Sequence, residues 1–272
     1  MKAAAFEYVR PRDLAEAVRA LGAGSGAKLL AGGQSLGPML NLRLARPRLL
    51  IDIARLDALR RIDDAGDAWR VGGAVTHAEI EDATLPGGAM LVAVAGGIAY
   101  RAVRNRGTIG GSLAHADPAA DWPLALAALD ATVVVRGPAG ERRVAADRFM
   151  TAAFTTALGD DEIVEAVLVP KLSAAARFGY FKFCRKTGEF PEASAAVVLD
   201  PARRVARLFV GALSGAPQPL PALASDLAER GAVAATQDAI AVALTAALPG
   251  LDAVERRMQG GAVLRAVKQV FA

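Results

Sequence analysis

Short apolar runs alternate with turn-rich stretches along this chain, and the period of the runs changes from place to place. Residues 13–21 (DLAEAVRAL) carry apolar side chains at helical spacing behind Asp13, a residue suited to an N-cap, which predicts a helix ended by the GAGSG that follows. KLLAGGQSLG predicts a short buried strand running into a glycine turn, PMLNLRLA a short helix and RLLIDI a second strand. LRRIDDAGDAWRVGGAV has apolar runs on both sides of a polar DAGD, the pattern of a hairpin. Thr76 is placed to cap a helix over THAEIEDA, and residues 87–104 predict another. Beyond a glycine-rich stretch, Asp117 or Asp121 starts a helix through PLALAAL. ATVVVRGPAGERRVAA predicts a further hairpin, and DDEIVEAVLVP a strand ending at Pro170.

The pattern shifts near residue 171. KLSAAARFGYFKFCRK and ASAAVVLDPARRVARLFVGAL have the alternation of antiparallel strands, while LASDLAERGA, DAIAVALTAAL and residues 252–271 have helical spacing. A break at 171–176 and a C-terminal lobe of sheet plus helices are expected. The one internal echo is AGGQS at 31–35 against IGGS at 109–112.

Composition narrows the function classes. The 272 residues suffice for two or three lobes, and 53% apolar with 22% charged residues is an ordinary soluble balance. The net charge of +4 comes from scattered arginines, a solvated surface and not a nucleic-acid footprint. A lone Cys184 makes no internal disulfide and cannot by itself hold an iron–sulfur cluster or a thiolate zinc site. MKAAAFEYVRPRDL has no apolar stretch of signal-peptide length, and the uncharged run 83–100 is broken by Pro86 and four glycines. A soluble, cytoplasmic protein without a transmembrane segment is expected.

Four motifs compete for the chemistry. GAGSGA at 22–27 matches the dinucleotide fingerprint, but a helix precedes it and a strand follows, the reverse of the order that fingerprint needs. GQSLG at 33–37 matches the nucleophile elbow of serine hydrolases around Ser35. Only 34 residues precede Ser35, and His77 and His115 are the sole candidate bases. His115, Asp117 and Asp121 suggest a metal site, although a helix cap and a local hydrogen-bonding histidine explain them equally. The fourth motif is the pair AGGQS and TIGGS. Each leaves an apolar segment, passes through Gly-Gly and ends in a hydroxyl. Glycine lets successive N–H groups face one concavity, so two such turns suit a pyrophosphate, unless both are ordinary tight turns.

KLLAGGQSLGPMLNLRLARPRLLIDI together with AYRAVRNRGTIGGSLAHADPAADWP resembles the FAD-binding medium subunit of the molybdenum hydroxylases, the xanthine dehydrogenase and carbon monoxide dehydrogenase family. The quinoline 2-oxidoreductase and nicotine dehydrogenase members look most alike. The likeness runs nearly end to end and includes RKTGEFPEASAAVVL and ERRMQGGAVLRAVKQVF. It implies an α+β fold: a two-subdomain FAD-binding part of the vanillyl-alcohol-oxidase-like (PCMH) type, residues 1–172 divided near 56, then a C-terminal lobe, 177–272, with a three-stranded antiparallel sheet.

The resemblance also implies roles. Leu29, Leu30, Ala31, Gly32, Gly33, Gln34, Ser35 and Leu36, with Thr108, Ile109, Gly110, Gly111 and Ser112, would wrap the FAD pyrophosphate and ribityl chain. Asp121 would be a further polar contact, Ile98 and Val164 would sandwich the adenine, and Lys182 would contact the flavin. A cation there favours the reduced, anionic flavin by Coulomb attraction. Ser112 stands where other members carry Asp or Asn, and Ile98 where the xanthine enzymes carry an aromatic residue. No side chain is expected to be catalytic and no metal to be bound by this chain. The implied partners are a small iron–sulfur subunit with [2Fe-2S] clusters and a large subunit with the molybdopterin cofactor, in a dimer of heterotrimers. The implied substrate is an aromatic N-heterocycle, with carbon monoxide or a purine as the other possibilities within the family and a Ser35 hydrolase as the alternative outside it.

Overall fold

The computed structural model describes residues 2–24 and 26–272; Ser25, inside the GAGSGA stretch, lies outside the described residues. The first unit is a parallel three-stranded sheet in the order β1 (Glu7–Val9), β3 (Leu49–Asp52), β2 (Ala27–Leu30). Helix α1 (Leu14–Gly22) starts where Asp13 accepts from the Glu16 N–H at 2.7 Å, and it buries Ala17 and Val18 in a small core with Ile51, Ile53 and Leu59. Because α1 precedes and β2 follows the GAGSGA stretch, that motif cannot open a helix onto a pyrophosphate. Helix α2 (Leu36–Asn41) begins two residues earlier than its pattern predicts. Pro38 falls in its first turn, where a missing N–H is harmless.

The second unit is an antiparallel five-stranded sheet in the order β4 (Ile62–Asp64), β5 (Ala68–Gly72), β10 (Ile163–Pro170), β6 (Thr132–Gly137), β7 (Gly140–Ala145). Between β5 and β6 run α3 (His77–Glu81), α4 (Ala89–Gly97), α5 (Arg101–Arg104), α6 (Ile109–His115) and α7 (Asp121–Ala128). Between β7 and β10 lie α8 (Ala146–Phe149) and a small hairpin, β8 (Met150–Ala152) with β9 (Thr155–Thr156). The single helix expected over 87–104 is two. Gly96 and Gly97 weaken its end, Ala99 takes φ +43°, and the Arg104 guanidinium binds the freed carbonyls of Ile98 and Ala99 at 3.0 and 3.1 Å.

Residues 171–176 lead into the third unit, an antiparallel sheet in the order β11 (Arg177–Phe183), β12 (Ala193–Asp200), β13 (Val205–Gly211), β14 (Gln218–Pro219). The three expected strands are there; β14 adds a two-residue edge that no pattern of that length reveals. Helices α9 (Pro221–Arg230), α10 (Gln237–Ala247) and α11 (Ala253–Val270) cover one face. Every residue of β12 is buried. Ala193, Ala195, Val197 and Leu199 face the helices, while Ala196 and Val198 join the main core around Trp122 and Leu124. The lobe therefore shares its inner face with the second unit, and α7, buried at all eight positions, lies between them. Among the described residues no helix is long and apolar enough to cross a membrane.

Candidate functional site

Two backbones meet at the centre of the molecule. A Cβ on Gly32 would lie 2.1 Å from the Arg106 carbonyl oxygen, so only glycine permits the loop after β2 to lie on residues 106–107. Those residues are held in turn by α3: the His77 N–H donates to the Gly107 carbonyl at 2.9 Å and the Ile109 N–H to that of Val75 at 3.1 Å, forming a Thr76–Thr108 bridge. Thr76 and Thr108 each cap the helix that follows, Thr76 in a full capping box with Glu79.

Residues 108–112 are thus the first turn of α6, not a second glycine turn. From Ile109 onward the donors are already engaged: Ile109 N–H with the Val75 carbonyl, Gly110 N–H with the Gly73 carbonyl at 3.0 Å, Gly111 N–H with Thr108 Oγ1 at 3.1 Å and Ser112 N–H with the Thr108 carbonyl at 3.0 Å. A Cβ on Gly110 would come 2.5 Å from the Gly73 oxygen, so this glycine serves helix packing. Ile109 is fully buried. What this segment offers a ligand is the Thr108 N–H and the Thr108 and Ser112 hydroxyls. The first loop is the reverse case: among the described residues no backbone N–H of residues 31–36 donates to a protein acceptor. Gln34 and Ser35 are exposed, with Gln34 Nε2 on the Gly32 carbonyl at 3.3 Å and Ser35 heading α2 without a side-chain bond.

A cleft of about 390 Å³ opens at the junction of the first two units, and Leu30, Ala31, Gly32, Thr76 and Thr108 line it. Arg10, Arg55, Arg60 and Arg106 also face it, with Asn105, Tyr8 and Asp52. Arg10 is held by the Tyr8 hydroxyl at 2.9 Å, and Tyr8 donates to Asp52. Arg60 pairs with Glu79 at 3.1 Å, whereas Arg55 and Arg106 have no ion pair among the described residues. Ala31 and Gly32 bring their unspent N–H donors to the cleft that these four guanidinium groups line, a combination suited to a multiply charged anion. The arginines gave no sequence signal, because they come from four separate segments.

Asp121, Lys182 and Ile98 gather at a second corner. Asp121 is the first residue of α7 and not its cap, which is Ala120. Its carboxylate, 7% exposed, accepts from Lys182 Nζ at 3.0 and 3.2 Å and from the Tyr180 hydroxyl at 2.7 Å. Lys182 Nζ also donates to the Gly97 carbonyl at 2.8 Å, which sets half-buried Ile98 beside this group. Burial, and then the negative charge of Asp121, push the Tyr180 hydroxyl well above its ordinary pKa. Val164 sits elsewhere, buried in β10 with its carbonyl against Gly73, the residue that backs Gly110. Leu29 and half-buried Leu30 bracket the end of β2, Leu36 opens α2, and Gly33 turns the loop at φ +70°.

The two histidines are spoken for. His77 Nδ1 accepts from the buried Trp122 Nε1 at 3.1 Å, and burial lowers its pKa to about 4. His115 lies against Phe154, ring centroids 5.3 Å apart, and makes no side-chain hydrogen bond among the described residues; the local bonding expected of it is replaced by ring packing. Ser35 bonds neither of them, so the elbow lacks its base. Asp117 accepts from the Ala119 N–H in the turn before α7. Among the described residues no three His, Cys, Asp or Glu side chains are grouped to hold a metal. Cys184 is half-buried, its thiol pKa raised by burial.

A parallel sheet, an antiparallel sheet and a donor-rich glycine loop against a cleft between them define an FAD-binding fold of the PCMH type. Residues 4–172 match the family described as the FAD binding domain in molybdopterin dehydrogenase, and the chain belongs to that family. It is 39% identical to the nicotine 6-hydroxylase medium subunit of Paenarthrobacter nicotinovorans, over 81% of this chain and 79% of that one. The solved carbon monoxide dehydrogenase from Hydrogenophaga pseudoflava superposes with a TM-score of 0.87 at 34% identity, covering 100% of this chain and 99% of its counterpart. Quinoline 2-oxidoreductase from Pseudomonas putida 86 gives 0.87 at 30%, covering 99% and 98%. The protein is an oxidoreductase subunit whose cofactor is FAD, and the hydrolase alternative falls.

Proposed function

We propose that this chain is the electron-transfer flavoprotein of a heteromeric molybdenum-containing dehydrogenase, with residues 1–172 as its FAD-binding domain and 177–272 as its C-terminal lobe. The observation that supports it most is the run of unspent N–H donors at 31–36, which enters the arginine-lined cleft at Ala31 and Gly32. The Ala31–Leu36 backbone and the Thr108 and Ser112 hydroxyls hold the pyrophosphate and ribityl chain. Arg55 and Arg106 neutralise the phosphate charge. Asp121, Lys182 and Ile98 form the corner that receives the flavin ring. Bound FAD supplies the redox chemistry between [2Fe-2S] clusters of a small subunit and an external acceptor. The protein's part is binding, orientation and charge, with no acid–base residue of its own. Substrate oxidation belongs to a large molybdopterin subunit in a dimer of heterotrimers, and the names of the nicotine and quinoline relatives favour an aromatic N-heterocycle.

The test is direct. Protein purified with its partners is expected to be yellow, to release FAD on denaturation, and to bring down one large molybdenum-containing chain and one small cysteine-rich chain. The assembled complex is expected to oxidise nicotine- or quinoline-type rings. Activity on carbon monoxide or purines alone would overturn the substrate reading, and a colourless protein would overturn the cofactor reading.

A further inference from the structure

We infer that Tyr180 is a positioning residue: its hydroxyl, fixed on the Asp121 carboxylate, sets the charge that the Asp121–Lys182 pair presents to the cofactor. The inference rests on the proposed placement of that pair at the flavin.

The geometry begins with the period of a strand. Tyr180 and Lys182 are two residues apart on β11 and so point to the same face, while Phe181 between them turns to the helix-covered side and meets the Arg265 guanidinium. Both polar ends reach Asp121, Tyr180 at 2.7 Å and Lys182 at 3.0 Å on the same Oδ1. Lys182 is anchored a second time on the Gly97 carbonyl, at the end of α4. One half-buried polar knot thus joins α4, α7 and the C-terminal lobe.

An ammonium and a carboxylate at hydrogen-bond distance nearly cancel. The Tyr180 hydroxyl tips that balance, because a neutral donor draws off part of the carboxylate charge and leaves the ammonium less compensated. A group beside the pair therefore feels a residual positive field, which stabilises added negative charge. Without the hydroxyl, Asp121 compensates Lys182 more fully and the bias disappears.

The measurement is the midpoint potential of bound FAD, by spectroelectrochemistry on the protein isolated with its partner chains. Asp121→Asn is expected to raise the potential and Lys182→Met to lower it. Tyr180→Phe is expected to lower it by less than Lys182→Met, at unchanged FAD content. In the Asp121→Asn background Tyr180→Phe is expected to shift nothing, since its effect passes through the carboxylate. A 3,5-difluorotyrosine at position 180, of nearly the same shape but a stronger donor, is expected to raise the potential. An unchanged potential in Tyr180→Phe, or an equal shift in both backgrounds, overturns the inference. If Tyr180→Phe loses FAD or fails to fold, the difluorotyrosine protein decides, and no rise overturns it. If Asp121→Asn and Lys182→Met leave the potential of flavin-loaded protein unmoved, the placement at the flavin fails and the inference with it. A wild-type protein without FAD refutes the proposed function itself.

Discussion

Gly32 and Gly37 look alike as letters and differ in what surrounds them. A Cβ on Gly32 collides with the Arg106 carbonyl at 2.1 Å, whereas one on Gly37 meets nothing within 4 Å. Gly32→Val is therefore expected to part the two backbones and abolish FAD retention, while Gly37→Ala keeps it; absorbance of the purified variants reads both. His77 is another single-residue case. Its folded pKa, about 4, is below the unfolded value of 6.5, so the folded state resists the proton. The stability this protects is full above pH 6.5 and is lost as pH falls through 4, by about 3 kcal/mol. Denaturation of the flavin-free protein across that window is expected to lose this component in His77→Gln, which cannot take up the proton.

At the scale of elements, α6 shows how tertiary contacts override a local signal. TIGGS has the composition of a turn, yet Thr108 caps a helix there because Ile109 and Leu113 gain a buried face and the Thr76–Thr108 bridge fixes the entry. Thr108→Ala is expected to cost about 1 kcal/mol in chemical denaturation of the flavin-free protein, and to weaken FAD binding through the lost hydroxyl. By contrast α1, α3 and α11 were legible in sequence, since their caps Asp13, Thr76 and Asp252 act on the next turn of the same chain. The break at Ala99 was not, because its stabiliser is the Arg104 side chain folding back on the Ile98 and Ala99 carbonyls.

For the molecule as a whole, the main core runs from Trp122 through Ala196 and Val198 to Phe209, so the second unit and the C-terminal lobe are packed as one. The link between them is pinned by Asp200, which is fully buried and accepts from the Ser173 N–H at 2.8 Å, its hydroxyl at 2.6 Å and the Arg203 N–H at 3.3 Å. Asp200→Ala leaves these donors without their acceptor, at a cost of about 1–3 kcal/mol. Limited proteolysis is expected to cut the variant at 171–176 sooner than the wild type, and equal rates would show that the shared core alone holds the lobes.

The sequence by itself determined the capped helices α1, α3 and α11 and the longer strands, β2, β3, β10 and β11–β13. Those properties rest on side-chain period, capping and backbone freedom, all of them short-range. Only the tertiary structure decided which glycines keep free donors. Gly110 spends its N–H on a carbonyl 37 positions earlier in the chain, and loop 31–36 does not. It also gathered four distant arginines at one cleft and set Tyr180 against Asp121. Local pattern cannot reach these facts, because a donor's availability and a charge's compensation depend on which atoms folding brings within about 3 Å.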